Sequence, residues 1–451
     1  NSSTTGSTVT PGTITANGSP TASTNSPFDD PGNFAFGENG DQNGIKVGKY
    51  NGNGSTSGPE IYLGFEPSLI ILKDYHDTGQ DWVMFDSMRG IYNDTAVEDQ
   101  ILAINAAETQ TGGQYLTVSA TGFKITSSHN RVNSGTRKYI YVAFRRSDGG
   151  VGKPGAAGTD VFAMDVGASS TANTIPDLDS GFPVDIALIK HKTANQDWHI
   201  GTRLMGTRKL NPNTDAVASL SSNQVWTSNL GCWKNLGSAY QGWLWKRGPG
   251  VDYVMYEGDG VAGRQIPHSL SKPPEFIFVK NRDSSGIWTA GHFGVNGGTN
   301  PWNYRLRLNS YTTQESQSDA WNNSAPTSTH FTLGTSINSD GDKHIAMLFR
   351  SVEGISKCGY YDGSNSNQTI TTGFAPRFII IRRTDDGDDW TVLDTLRGWG
   401  SGQDERLRIN ENNAQDDDTD WGAPTSTGFT LTGGIGGSST SGGKYIYYCH
   451  S

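Results

Sequence analysis

The sequence predicts an all-β chain: four tandem antiparallel β-sandwich-like repeats of about a hundred residues each, preceded by an extended Ser/Thr/Gly-rich linker. Three observations predict it. Markers recur four times in the same order along the chain. Short β-branched or aromatic runs alternate with Gly- and Asn-rich turns, as half-buried strands do. No window sustains a 3.6-residue apolar period over three turns. The expected divisions are a linker over 1–44 and repeats over 45–149, 150–249, 250–354 and 355–451.

Ser, Thr, Gly, Asn and Pro dominate the linker as far as about Pro27, too polar to bury a core of its own. Each repeat then opens with an alternating strand and a Gly-rich turn: "IKVGKYNGNG" from Ile45, "DVFAMDVGAS" from Asp160, "VDYVMYEGDG" from Val251 and "ISKCGYYDGS" from Ile355. The second marker is "GFEPSLIILKDYHDTGQDWVMFDSMRG" at 64–90, matched at 181–206, at 272–294 and, most closely, by "GFAPRFIIIRRTDDGDDWTVLDTLRG" at 373–398. Its continuous apolar run reads as a strand covered on both faces. Trp82, Trp198, Trp288 and Trp390 mark equivalent points in it and are expected in the core. Alternating strands follow at "QILAIN" (100–105), "RLRLN" (305–309) and "RLRIN" (406–410). "TGFKI", "THFTL" and "TGFTL" come next, and an aromatic strand such as "GKYIYYCH" (443–450) closes the unit. Thin sandwiches in tandem, each touching its neighbours, are expected to form a rod.

Bulk composition excludes several classes. Only 33% of residues are hydrophobic, poor for one large core but sufficient for thin layers. The formal charge of −10 comes with no basic cluster beyond short pairs, so nucleic acid is not an expected partner. No apolar run approaches the ~18–20 residues that cross a bilayer, and no membrane insertion is expected. The first residues carry neither a signal peptide nor an initiator Met, so the chain is expected to be processed or part of something longer. Cys232, Cys358 and Cys449 are widely separated and read as buried thiols.

Candidate chemistry is sparse. Asp389, Asp394 and Arg397 could suggest an acid–base pair, but Asp81, Asp86 and Arg89 repeat them, and catalytic carboxylates need singular positioning. They read as a turn cap and an inter-strand bridge. The acidic runs at 384–390 and 413–421 offer Asp385, Asp386, Asp416 and Asp418 as Ca²⁺ ligands, without EF-hand spacing; solvated turns are the competing reading. Neither a zinc-spaced His/Cys cluster nor G-x-S-x-G is present, and no cofactor is expected. Trp302 and Trp399, with Tyr92 in the first repeat, fall in a loop with no strand position to fill. Such rings could stack on a sugar or pack onto a neighbouring unit.

The motifs Y-x-G-x-G, G-F-x-P followed by apolar residues, D-W-x-x-x-D-x-x-R-G, "APTSTGFTL" (423–431) and the closing "YIY" resemble a repeat of bacteriophage tail-fibre and other virion proteins. The resemblance spans about residues 45–451, the second repeat departing furthest. It implies a non-enzymatic virion structural protein, a tail fibre or similar appendage serving host attachment and assembled in the host cytoplasm. Its implied partners are other virion proteins, copies of itself (a trimer foremost) and a host-surface glycan. A capsid decoration or head fibre, and a tail-associated glycan depolymerase, are the alternatives. The widely spaced cysteines suit a reducing cytosol.

Overall fold

A computed structural model describes residues 44–94, 96–146, 157–168 and 175–451. The linker expected over 1–44, apart from its last residue, and the boundary expected at 149–150 lie outside them. The described chain is all-β, with one short α-helical turn at Ser318–Trp321 and a few 3-10 turns.

Four large antiparallel sheets follow one another along the chain. In the first, the opening strand Ile45–Asn51 pairs with the closing strand Lys138–Arg145, which pairs with Pro67–Asp74, followed by Val83–Asp86, Asp99–Ala103 and Thr111–Gly113. The third sheet repeats this order with Val251–Glu257, Lys343–Phe349, Phe276–Asn281, Thr289–His292, Tyr304–Arg307 and Glu315–Ser316. The fourth does so with Ser356–Asp362, Lys444–His450, Phe378–Arg383, Thr391–Asp394, Asp404–Arg408 and Asp416–Thr419. The second keeps four strands, Phe162–Val166, Tyr240–Trp245, Ile186–His191 and His199–Thr202, with Arg208–Lys209 and Ser219–Leu220 paired separately. The closing strand lies second in each sheet, between the opening strand and the strand of the second marker.

A smaller sheet covers one face of each large one. In the fourth segment it is Gln368–Thr371, Gly428–Leu431 and Pro424–Thr425. Side chains alternate accordingly. Ile379 and Ile381 enter the core beneath the small sheet, with Trp399, Trp421 and Phe429. Phe378 and Ile380 enter a second, larger core on the opposite face. A strand buried on both faces has no polar side to show, which explains the unbroken apolar run in its sequence.

That second core is shared, and the molecule is no rod. Trp245 of the second segment lies 5.6 Å from Phe378 of the fourth and 6.4 Å from Phe349 of the third, ring centre to ring centre. Phe276 of the third stacks on Trp390 of the fourth at 5.9 Å. The second, third and fourth sheets thus face inward around a common centre, where an apolar cavity of about 30 Å³ lies. The rod expectation fails because one face of each sheet needs two partners, and sequence neighbours in line supply too few.

A cyclic set of clasps closes this ring. The Trp198 indole N–H donates to the Arg408 carbonyl (2.8 Å), that of Trp390 to Arg307 (2.9 Å) and that of Trp288 to Asn211 (3.1 Å). Backbone amides of Gln415, Gln314 and Ala218 donate to the carbonyls of Lys192, Thr384 and Arg282, each across the same three junctions. Lys190, Lys280 and Arg382 donate across them as well, to the carbonyls of Asn412, Asp215 and Thr312. Second holds fourth, fourth holds third, and third holds second.

The first segment docks outside the ring, where its buried apolar residues join the shared cluster and polar groups add fixed contacts. Asn93 N–H donates to the Leu204 carbonyl (2.8 Å), and Arg282 and Arg208 both pair with Asp94 (2.9 and 2.7 Å). Tyr92 lies so close to Gly206 that a Cβ there would stand 2.8 Å from its ring, and Gly206 also has φ of 60°.

Candidate functional site

The residues that suggested chemistry are engaged with one another. The Asp394 carboxylate accepts from Arg397 Nε (2.6 Å), from the Trp243 indole (3.1 Å) and from Gln241 (3.3 Å), with no exposure of its own. It joins the second and fourth segments. Its counterpart Asp86 pairs with Arg89 at 2.6 Å but stays about a fifth exposed. Asp389 accepts from Asn410 Nδ2 (2.8 Å), and the Asn410 side-chain oxygen accepts the Trp390 backbone N–H (2.8 Å). The same Asp–Asn–Trp clasp joins Asp81, Asn105 and Trp82, and Asp197, Asn213 and Trp198. Sequence reading gave the asparagine no role. Its signal was the Asn that ends "QILAIN", "RLRLN" and "RLRIN" in the first, third and fourth segments.

The Ca²⁺ candidates have other partners. Asp416 is held by Arg406 and Arg408, Asp385 by Arg383 Nε (3.1 Å) and the Lys444 amide (2.9 Å), and Asp386 by Arg383 (3.2 Å). Asp418 bonds the Thr419 hydroxyl. No group of three metal-ligating side chains occurs among the described residues.

Two aromatic expectations need correction. Trp302 and Trp399 are not free loop rings: they are buried beneath the small sheets of their own segments, where Trp302 meets Trp321 and Trp399 meets Phe429. They cannot stack on a sugar there. Tyr92 does meet a neighbouring segment. Trp198, Trp288 and Trp390 are fully buried, whereas Trp82, expected in the core, is 38% exposed because no other described segment covers its face of the sheet.

Where the first three segments meet, a buried charge cluster forms. Arg247 donates to both Glu66 oxygens (2.7 and 2.9 Å), to Asp252 (2.8 Å) and to the Tyr253 carbonyl (2.6 Å), and lies 4.0 Å over the Tyr253 ring. Arg146 pairs with Asp252 at 2.8 Å. Burial alone would push the Asp252 carboxyl up, but the guanidiniums of Arg247 and Arg146 outweigh it and hold it at about 2. Beside this junction, between the first and third segments, a groove of about 480 Å³ is lined by Glu60, Lys124, Glu257, Asp259 and Arg264 among others. Its mixed charges and amides suit a neutral, hydroxyl-rich ligand.

Among the described residues, one face of the first sheet is left uncovered. Val47, Trp82 and Ile104 are 70%, 38% and 49% exposed, and Ile71, Met84 and Val142 between them are half-buried. Pairing registers equate these positions with Cys358, Trp390, Ile409, Ile380, Val392 and Tyr448, all buried in the shared core.

The family described as a domain of unknown function (DUF7483) matches residues 33–147 and 232–451, the greater part of the chain. No curated protein matches it.

Proposed function

The chain belongs to the DUF7483 family, and we propose that it is a non-enzymatic structural and attachment protein of a bacteriophage virion, a tail fibre or similar appendage. The observation that carries this reading is how the recurrent side chains are used. Indole N–H groups, carboxylates and guanidiniums that could serve chemistry are spent on holding one segment to the next. The common strand order of the large sheets supports one module in four copies, with divisions near 45–149, 150–249, 250–354 and 355–451.

Attachment falls to the groove between the first and third segments rather than to Trp302 and Trp399. A host-surface glycan would lie across Glu60, Glu257 and Arg264, its hydroxyls meeting charged and amide groups. Other virion proteins are the assembly partners. The test is adsorption: purified protein added to host cells should block particle attachment, and Glu257→Ala with Arg264→Ala should abolish the block. Undiminished attachment at saturating protein would reject the adhesive role. Antibody labelling of intact particles would show an appendage; its absence from particles would reject the virion assignment.

A further inference from the structure

We infer that three copies of this chain associate through the uncovered face of the first segment, forming between chains the ring that the second, third and fourth segments form within one. Val47, Ile71, Trp82, Met84, Ile104 and Val142 occupy the positions whose counterparts in the fourth segment are 0–5% exposed within the shared core. An apolar sheet face of this extent is covered in the other three segments, and what covers it there is two further copies of the same face.

The polar clasps point to the same occupant. Each ring junction uses an indole N–H and the backbone carbonyl that ends the strand before that Trp, together with a backbone amide of the facing segment, five residues after the Asn that caps the facing segment's own Trp. The first segment retains all three groups. They are the Trp82 indole N–H, the carbonyl of Tyr75, whose amide bonds Lys138 as that of Thr384 bonds Lys444, and the Gln110 amide. Gln110 follows Asn105 as Gln415 follows Asn410 and Gln314 follows Asn309. None of the three groups has a partner among the described residues. Lys73 corresponds to Lys190 and Lys280: it donates to the Gln80 carbonyl as they do to Gln196 and Gly286, but lacks their bond across a junction. Docking to the ring uses Glu66, Asn93, Asp94 and Arg146, which leaves this face open. In the trimer, Trp82 would donate to a carbonyl near Ala103 of the next chain, and Gln110 to the Tyr75 carbonyl. The association needs no virion partner and stands apart from the function proposed above.

Sedimentation equilibrium of the full chain tests it. The expected mass is three times 48.5 kDa at micromolar concentration. The double variant Trp82→Arg, Ile104→Glu should sediment as a monomer with an unchanged far-ultraviolet circular dichroism spectrum, since both side chains are already exposed in the single chain. If that variant fails to fold, Val47→Lys at the rim of the face serves instead, and a monomer is again expected. A wild-type monomer, as when residues 1–43 of the same chain cover the face, or a dimer, would overturn the inference. So would a trimer that survives the folded variant.

Discussion

Replacing Arg247 by Met tests whether the buried charge cluster fastens the first segment to the rest. The substitution keeps most of the side-chain volume and removes the guanidinium. Four hydrogen bonds go with it, three of them to carboxylates at 2.7–2.9 Å. Glu66, 8% exposed, then has only Arg146 at 3.4 Å, and Asp252, 1% exposed, must share the same cation at 2.8 Å. Removing one partner from a buried pair costs about 3–5 kcal/mol, because the surviving charge stays desolvated. Urea unfolding at pH 7 should show a loss of that size. The pH dependence gives a second check. The Asp252 carboxyl is held at about 2 in the folded chain against 3.8 for an ordinary Asp, so its contribution is fully present above pH 3.8 and is lost as pH falls toward 2. That gap is worth roughly 2 kcal/mol, and the variant should lose most of it. A loss below about 1 kcal/mol with an unaltered acid limb would show that the cluster does not fasten the segment.

Asp394→Ala should cost about 3 kcal/mol in denaturant titration, because Arg397 is left buried and unpaired, while the half-buried equivalent Asp86→Ala should cost under about 1 kcal/mol; equal losses would contradict the burial argument. Trp390→Phe removes the indole donor to Arg307 and should cost about 1–2 kcal/mol by the same measurement, and an unchanged midpoint would deny the clasp a role in stability. Burial holds His292 and His450 down at about 3, so both stay neutral in the fold; their stabilisation is present above pH 6.5 and lost as pH falls toward 3. His450→Phe, the residue found at the equivalent Phe349, should flatten the decline of melting temperature between pH 6.5 and 4. Millimolar Ca²⁺ should shift the melting temperature by less than about 1 °C, since Asp416 is already neutralised by two arginines; a rise of several degrees would reinstate the acidic runs as ligands.

Local rules reached the strands of the fourth sheet because both its faces are covered, and burial on two sides leaves a visible mark in "RFIIIRR"; "SLIIL" carries the same mark although one face of its sheet is open. The Asp–Arg pair was legible as architecture from its duplication, but Asp394 and Arg397 pair within the turn that ends one strand rather than forming the expected inter-strand bridge. Three things were not legible. Trp302 and Trp399 lie between strand segments in sequence yet fold back under the small sheets, a tertiary decision that no periodicity records. The groove between the first and third segments is assembled from residues about 130 or more positions apart and leaves no local trace. The ring itself is invisible because its bonds run largely to backbone carbonyls, which every residue type supplies equally.

Trp82 shows why a repeated motif does not settle burial. It carries the same neighbours as Trp390, the same capping Asn and the same apolar strand beside it, and still lies at the surface. The difference is one of number. Three inward-facing sheets close around their common centre and leave about 30 Å³ there, room for about one water and far too little for another sheet. The remaining large sheet, the first, therefore docks from outside. It does so through ion pairs at Glu66, Asp94 and Arg146, which leave its apolar face unspent. The same motif thus lies buried where two other sheets face it and exposed where no other described segment does.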